Sequence, residues 1–338
     1  MLRKLPFVRL ALLLMVAALT PSAATGAQGI APLAPGPIYL PLVAKNAGGP
    51  TLGGCSMFPP DNPWNTDISA YPVHPNSAAF VADINMTGNQ FLHADFGSNP
   101  GYGIPYIIVP QSQILIPIVF TEYGSESDPG PYPVPPNAPI EGGAASGGDR
   151  HVLVLNSGEC KLYELYRAFY VGPPGVDAWD ADSGAVWDLN SNALRPEGWT
   201  SADAAGLPIL PGLARYDEAA SGAIKHALRF TVWRTQRGYI HPATHFAGST
   251  ASAPPMGLRL RLKASYDVSG YTGQARVILE ALKRYGMIVA DNGSSWFITG
   301  APYTGPGAGW DDDDLNQLKS VPGTAFEAVY TGDIITPP

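Results

Sequence analysis

Short runs of apolar, β-branched and aromatic residues alternate with glycine- and proline-rich turns over most of the chain after residue 54. Runs of this kind, a few residues long and bounded by turn formers, are typical of β-strands. They predict strands at Tyr106–Val109, Ile114–Phe120, His151–Leu155, Leu162–Val171, Ala185–Leu189, Ile224–Trp233, Leu258–Ala264, Met287–Ala290 and Trp296–Thr299.

Helical spacing of apolar residues is confined to a few segments. In Thr272–Tyr285 the apolar residues recur every three or four positions, and Gly286 follows as a stop. Asp311–Ser320 begins with an acidic turn, which suits the positive end of a helix. A third, shorter helix is predicted to begin near Thr200 and to end near Gly206. Because strands dominate and no βαβ rhythm is present, we predict a mainly β fold, a β-sandwich or jelly-roll-like domain with a few short helices.

The composition supports this fold class. The chain of 338 residues contains 38 Gly and 35 Pro, which weaken helix interiors and exclude a helical bundle or a coiled coil. Charged residues make up 14% of the chain, against about 25% in an ordinary soluble domain. Since no segment is strongly basic, we expect no nucleic-acid partner.

The first 27 residues have the pattern of a secretory signal peptide. Arg3, Lys4 and Arg9 precede and border the apolar run Leu10–Leu19, and small residues suited to cleavage follow. The apolar run is too short to span a bilayer, which needs about 20 apolar residues. We therefore predict a secreted, extracellular protein without a membrane span after cleavage. Loss of the three cations would change the formal net charge from −8 to −11.

The rest of the chain is predicted to form one domain. Residues 28–53 are rich in Pro, Ala and Gly and indicate a linker with one short strand, Ile38–Val43. A single β-rich domain is expected from residue 54 to residue 331, followed by a tail from 332 to 338, and we expect a monomer. Cys55 and Cys160 are the two cysteines, and an even pair in an oxidising compartment predicts one disulfide. No CxxC spacing supports a metal site on them.

One hairpin carries the most suggestive side chains. In HVLVLNSGECKLYELY, a two-residue turn at Ser157-Gly158, or a four-residue loop centred on it, would place His151 opposite Glu164. Alternation then puts Asp149, His151, Glu164 and Tyr166 on one face of the two strands. A histidine beside carboxyls and a phenol can perform general acid–base chemistry. The alternative is a hydrogen-bonded polar patch at the end of a sheet.

Other candidates lie further along the chain. In IKHALRFTVW, His226 lies on the apolar face, where a buried core histidine is the alternative to a catalytic one, and Arg229 and Trp233 lie on the opposite face as a potential ligand surface. His241 and His245 have the four-residue spacing of a helical zinc site, but Pro242 between them argues against a helix. His245 could instead act as a catalytic base from a loop.

Two further patterns concern the surface. In LRLRLK, Arg259, Arg261 and Lys263 alternate onto one face and indicate either a cationic stripe or a solvated outer face. Several aromatic residues, including Trp199, lie in turn-rich contexts where they could stack on sugar rings or cover the core.

Metal sites receive little support from the sequence. The segment DAWDADSGAVWD contains Asp177, Asp180, Asp182 and Asp188, enough oxygen ligands for a structural Ca²⁺, but it fails the EF-hand spacing. We predict no catalytic metal and no cofactor. The motifs GxSxG, HExxH, the P-loop and GxGxxG are absent from the sequence, which disfavours serine hydrolases, zincins, kinases and dinucleotide enzymes.

Four stretches carry a resemblance to a group of uncharacterised secreted bacterial proteins, which extends over most of Phe58–Val329. They are FPPDNPWNTDIS near the start, SGAVWDLNSNALRPEGWTSADAAGLPILPGLARYDE, GAIKHALRFTVWRTQRGYIHPATHFAG and ALKRYGMIVADNGSSWFITG. The resemblance implies one secreted domain and carries over no catalytic residues.

Together these patterns predict a secreted carbohydrate-active enzyme, a glycoside hydrolase acting on a polysaccharide with Asp149 and Glu164 as its two carboxyls and His151 tuning one of them. The alternatives are a polysaccharide lyase that neutralises uronates with arginine, and a non-catalytic carbohydrate-binding or cell-surface module. The catalytic candidates are Asp149, His151, Glu164, His226 and His245, and the substrate-binding candidates are Arg229, Trp233, Tyr166 and Trp199.

Overall fold

Strands outweigh helices in the computed structural model, at 24% against 16%. It describes residues 49–172 and 178–337. The mainly β class predicted from the sequence is confirmed. The signal peptide, most of the linker and its strand Ile38–Val43 lie outside the described residues.

The described strands are β1 (Thr51–Leu52), β2 (Cys55–Ser56), β3 (His93–Asp95), β4 (Tyr106–Val109), β5 (Ile118–Phe120), β6 (Val152–Asn156), β7 (Lys161–Tyr166), β8 (Phe169–Tyr170), β9 (Trp179–Ala181), β10 (Ser183–Asp188), β11 (Leu228–Val232), β12 (Arg259–Leu262), β13 (Met287–Asn292), β14 (Phe297–Thr299) and β15 (Phe326–Val329). The α-helices are α1 (Ser77–Ile84), α2 (Tyr216–Ala220), α3 (Gly273–Arg284) and α4 (Asp312–Asn316). Short 3-10 helices cover Pro63–Asn65, Gly124–Glu126, Leu210–Gly212, Gln317–Ser320 and Gly323–Ala325.

Two sheets form most of the fold. One has six strands in the order β15-β12-β13-β11-β14-β3, and the other has four in the order β10-β7-β6-β4. The six-stranded sheet is mixed, because β11 pairs with β13 and β14 pairs with β3 in parallel. This differs from the all-antiparallel arrangement of a jelly roll. A smaller sheet has the order β5-β9-β8, and β1 pairs with β2.

Each face of the four-stranded sheet contributes to a different hydrophobic core. Leu153 and Leu155 of β6 belong to the larger core, which also contains Phe230 and Val289 of the six-stranded sheet. Val152, Val154 and others belong to a second core on the opposite face. Because side chains alternate along a strand, burial on both faces makes β6 apolar throughout.

The β6–β7 hairpin keeps the predicted face but not the predicted register. Leu153 pairs with Glu164 and Asn156 pairs with Lys161, so the loop comprises the four residues Ser157–Cys160. The predicted pairing of His151 with Glu164 was therefore wrong by two residues. A shift of two preserves the alternation, so the side chains stay on the predicted face.

Helix prediction was partly correct. The predicted helix Thr272–Tyr285 is α3, and Gly286 follows it at φ 68°, where a side chain would meet the Leu260 carbonyl. The predicted Asp311–Ser320 helix is α4 followed by a 3-10 turn. The helix predicted from Thr200 to Gly206 is absent; turns and bends occupy this segment, with Ser201 Oγ bonded to the Asp203 and Leu207 carbonyls.

The domain is slightly longer at both ends than predicted. Thr51–Leu52, placed in the linker by the sequence, pairs with Cys55–Ser56. Ile335, placed in the tail, exchanges backbone hydrogen bonds with Tyr239. The predicted disulfide between Cys55 and Cys160 is present, with its Cα atoms 5.4 Å apart. No helix among the described residues is long and apolar enough to cross a membrane.

Candidate functional site

Two cavities meet between the sheets. The first, of about 310 Å³, includes Tyr166 and His245 in its wall and is called the Tyr166 cavity below. The second, of about 220 Å³, includes Phe297 and is called the Phe297 cavity. Three residues line both cavities and so mark the place where they meet: Asp149, Asp291 and Asn292.

Strand pairing builds one wall of the Phe297 cavity. Asp95 of β3 pairs with Thr299 of β14, and the β14–β11 register places Thr299 beside Arg229. Neighbouring residues on paired strands point to the same face of a sheet. Arg229 Nη1 accordingly donates to Thr299 Oγ1 over 2.9 Å. Three residues that are distant in sequence therefore form one row on the cavity side of the six-stranded sheet.

A β-bulge directs Asp291 into this row. Phe230 pairs with Val289, but the next residue, Thr231, pairs with Asp291, so Ala290 is the extra residue of β13. An extra residue exchanges the two faces of the strand beyond it. Asp291 therefore lies on the face of Thr231 and Arg229, whereas a regular ladder would have turned it away.

Arg229 is held in a buried ion pair. Its Nε and Nη2 donate to Asp203 Oδ2 and Oδ1 over 3.2 and 2.9 Å, which is bidentate geometry. The arginine side chain is 4% exposed and the aspartate 0%. The Asp291 carboxylate lies 3.8 Å from Arg229 Nη2. The cation predicted from the sequence to face a ligand thus lies in the cavity wall with its charge already balanced.

The opposite wall comes from the segment before β6. His151 Nδ1 lies 2.6 Å from Glu141 Oε2, and His151 Nε2 lies 2.9 Å from the Ala202 carbonyl oxygen. Both partners are acceptors, so both ring nitrogens donate. Burial alone would lower the pKa of His151, but the hydrogen bond and charge of Glu141 outweigh it and raise the pKa. Because both of its ring nitrogens face acceptors, His151 has no free lone pair directed at the cavity for proton abstraction.

Arg150 fixes the loop that carries Glu141 and Asp149. It adopts a positive φ of 52°, and its guanidinium donates to the carbonyls of Ala144, Ser146 and Ala168. Backbone carbonyls of a loop are otherwise satisfied by water, so the two bonds to Ala144 and Ser146 hold this loop in place, and the third ties it to Ala168 beyond β7.

The two carboxyls at the junction have different environments. Desolvation and the charge of Asp203 together raise the pKa of Asp291 to about 7, against the opposing effect of Arg229. Asp149 is exposed to solvent. With a pKa near 7, a large fraction of Asp291 carries its proton at neutral pH, and most of it does at slightly acidic pH. The junction therefore combines one carboxylic acid with one exposed carboxyl, which is the combination that acid–base catalysis uses.

Glu164 lies outside both cavities. Its carboxylate is fully buried and accepts hydrogen bonds from the backbone N–H groups of Ile209 and Leu210 and from Trp187 Nε1. Burial raises its pKa to about 7, although these donors oppose the rise. Glu164 connects the four-stranded sheet to the segment that begins the Leu210–Gly212 turn, so the structure gives it a role in folding and not in the cavities.

Replacing Glu164 by Gln is expected to lower the free energy of unfolding by about 1–3 kcal/mol. The NH₂ of the new glutamine cannot accept a hydrogen bond, so one of the N–H groups that now donate to Glu164 would be left without an acceptor. Glu159→Gln, on the exposed loop of the same hairpin, is the control and should change stability by no more than about 0.5 kcal/mol. Urea unfolding measures both. Equal stability of the two variants would show that the Glu164 carboxylate contributes no net stability.

The two other predicted histidines differ in position. His226 is fully buried, with Nε2 on Glu218 Oε2 at 2.9 Å and Nδ1 on the Ala227 carbonyl, and it lines neither cavity. It is the core histidine that the sequence left open as an alternative. His245 lines the Tyr166 cavity, and its Nδ1 lies 2.8 Å from the Ala204 carbonyl. Because a carbonyl only accepts, Nδ1 carries the proton and Nε2 is the acceptor in the neutral ring.

Of the remaining predicted substrate-binding residues, one lies at the cavities and two lie away from them. Tyr166 lines the cavity named after it, with its ring centroid 5.7 Å from that of His151. Trp233 donates to the Asp83 carbonyl beneath the guanidinium of Arg234, and Trp199 packs near Arg195. Neither tryptophan lines the cavities.

No cationic stripe forms on β12. Arg259 donates to the carbonyls of Pro63, Thr66 and Tyr285. Arg261 pairs with Glu327 and donates to the carbonyl of Ile68 and to others nearby. Both guanidiniums are therefore used to tie backbone segments to the sheet.

The described candidates for calcium ligation have other roles. Asp180 lies on β9, a strand that was not predicted, and Asp188 ends β10, within the predicted strand Ala185–Leu189. Asp182 pairs with Arg167 at 2.7 Å, and Asp188 accepts from Asn190. Asp177 lies outside the described residues. This segment is therefore occupied by sheet and ion-pair contacts.

Five residues of the cavity walls were not predicted as site residues from the sequence: Asp95, Glu141, Asp203, Asp291 and Asn292. Asp291 and Asn292 come directly after the apolar run predicted as a strand, and polar residues at a strand end are a signal that could have found them. Asp95 ends a short strand that the sequence analysis did not predict. Asp203 and Glu141 lie in loops, where no local pattern marks them.

No protein-family model, no curated protein and no solved structure matches this chain. Its function is accordingly inferred from the chemistry of the two cavities.

Proposed function

We propose that this protein is a secreted glycoside hydrolase whose acid and base are Asp291 and Asp149. The observation that carries the proposal is the meeting of two cavities at these two carboxyls, one partly buried with a raised pKa and one exposed. Hydrolysis of a glycosidic bond ordinarily uses a protonated carboxyl to protonate the leaving oxygen and a carboxylate to activate water or attack the sugar. Asp291 supplies the first and Asp149 the second.

The arrangement of the cavities fits a substrate that extends through both. The reacting bond lies at the junction, with one sugar ring against Phe297 and the neighbouring unit against Tyr166 and His245. Aromatic and carboxyl side chains are the groups that bind the C–H faces and hydroxyls of sugars. The disulfide Cys55–Cys160 supports an extracellular location.

A uronate lyase receives less support. Such an enzyme needs a cation that is free to neutralise the substrate carboxylate, but Arg229 is paired with Asp203, and Arg259 and Arg261 are bonded away from the cavities. The Phe297 cavity has four carboxyls in its wall, which would repel a polyanion. A binding module without catalysis would not need the raised pKa of Asp291.

The test is release of reducing ends from a panel of neutral, cationic and anionic polysaccharides. Asp149→Asn is expected to lower the rate of release about 100-fold, because the carboxylate base is lost. Asp313→Asn, an exposed change of the same kind on α4, serves as the matched control and should match the unmodified protein. Products that gain ultraviolet absorbance from a new double bond would instead identify a lyase. Binding of glycans without release of reducing ends by any variant would identify a binding module.

A further inference from the structure

The positive charges beside the Phe297 cavity already have partners. Arg229 forms the bidentate pair with Asp203, and His151 donates to Glu141. These are the two basic side chains among the described residues that line this cavity. Their hydrogen bonds to carboxylates go to Asp203 and Glu141, and they act on the other carboxyls of the wall only through their charge at longer range.

Several other side chains at this cavity present acceptors without donors. In the described part of the chain, no group donates to the carboxylates of Asp95 and Asp149, and both are exposed. The Asn292 amide oxygen is buried without a hydrogen-bond partner, although its Nδ2 donates to the Ala247 carbonyl. Partial desolvation in the cavity and the charge of Glu141 raise the pKa of Asp95. An unsatisfied buried acceptor beside unpaired carboxyls calls for a ligand that is rich in hydrogen-bond donors and carries positive charge.

The spacing of these groups fits an occupant larger than a metal ion. Among the described residues, one set of three ligand atoms lies within 4.8 Å of one another, and it comprises Glu141, Asp149 and His151. His151 donates through both ring nitrogens, so this set offers two oxygen ligands and no nitrogen lone pair. Asp95 and Asp291 lie outside the set and are distributed around the cavity wall.

We propose that the Phe297 cavity binds the ammonium group of an amino sugar, so that the substrate is a glycan with free, non-acetylated amines. The ammonium group is a cation with three donors for the carboxylates in the wall, Asp95 and Asp149, and the hydroxyls of the same sugar can donate to the Asn292 oxygen. The sugar ring packs on Phe297, whose ring is stacked on His93 with centroids 4.7 Å apart. This inference rests on the proposed hydrolase function, because it names the substrate of the same site.

Calorimetric titration with two probes tests the inference. One probe is a short glucosamine oligomer, and the other is the N-acetylglucosamine oligomer of the same length, both at about pH 6, where primary amines are protonated. The catalytically impaired variant Asp291→Asn keeps the probes intact during titration. We expect the amine oligomer to bind at least about tenfold more tightly, which corresponds to one charge-assisted hydrogen bond. Its affinity should fall with added salt, while that of the acetylated oligomer should not.

Asp95→Asn provides the residue-level test. Added to Asp291→Asn, it should lower affinity for the amine oligomer about tenfold and leave affinity for the acetylated oligomer unchanged. Asp313→Asn in the same background is the control for the change in net charge and should alter neither. Circular dichroism of each variant establishes that it is folded.

Several results would overturn the inference. These are equal affinity for the two oligomers, insensitivity to Asp95→Asn, equally tight binding of a lysine oligomer, or binding of Ca²⁺ or Mn²⁺ that displaces the amine oligomer. The same experiments test the proposed hydrolase function independently of the ammonium site. If the unmodified protein binds the amine oligomer selectively but releases no reducing ends, the ammonium site stands and the hydrolase does not. If it cleaves only neutral glycans in an Asp291-dependent manner, the hydrolase stands and the ammonium site does not.

Discussion

Replacing Asp291 by Asn is expected to lower kcat/KM for glycan hydrolysis by about 10²–10⁴-fold, the contribution typical of a general acid. The amide has nearly the same shape and cannot donate a proton in the way that a carboxylic acid does. Reducing-end release at saturating and subsaturating substrate measures the effect, and the loss should lie mainly in kcat. The Asp313→Asn variant should retain full activity.

The pH dependence distinguishes an acid from a residue that merely supports the site. The pKa of Asp291 is raised to about 7 by burial, so the protonated, active form predominates below that pH and is lost above it. In the unmodified protein, kcat/KM should therefore fall as the pH rises through about 7. The residual activity of Asp291→Asn should lack this alkaline limb. Activity within twofold of the unmodified protein, or an unchanged alkaline limb, would remove Asp291 from the role of acid.

Replacing Asp203 by Ala is expected to lower the free energy of unfolding by about 3–5 kcal/mol, because it leaves the buried Arg229 without its partner. The pair is buried on both sides, and it accounts for two of the hydrogen bonds that Arg229 donates. Urea unfolding at neutral pH measures the change. The loss is large because a buried charge without a partner costs far more than the pair contributes.

The double variant Asp203→Ala/Arg229→Met tests this explanation. Removing both charges replaces the ion pair by apolar groups, which is often close to neutral. The double variant should therefore be more stable than Asp203→Ala alone. If it is less stable, the effect of Asp203 lies in its own packing and hydrogen bonds and not in the unpaired charge. Loss of less than about 1 kcal/mol in the single variant would contradict the burial argument.

The β6–β7 hairpin shows how far local pattern extends. Alternation alone placed Asp149, His151, Glu164 and Tyr166 on one face, because side-chain direction repeats every two residues whatever the exact register. The same pattern could not separate their roles. Glu164 is covered by the segment at Ile209 and Leu210, some forty residues further along the chain, and a contact of that kind leaves no trace in the strand itself.

Asp291 illustrates the opposite case. Its strand was predicted, but the sequence gives no sign that β13 bulges at Ala290 and turns Asp291 toward Arg229. A bulge is decided by the pairing of β13 with its neighbours. The row of Asp95, Thr299 and Arg229 likewise depends on two pairings between strands that are distant in sequence.

The sequence by itself determined the mainly β class, most of the strands, helix α3, the Cys55–Cys160 pair and the shared face of the hairpin. Each of these follows from local periodicity, turn chemistry or a count of two cysteines. Only the tertiary structure decided which titratable groups surround the cavities. Burial and partners come from non-local packing, and they make Glu164 a buried anchor, turn both nitrogens of His151 toward acceptors and raise the pKa of Asp291 to about 7.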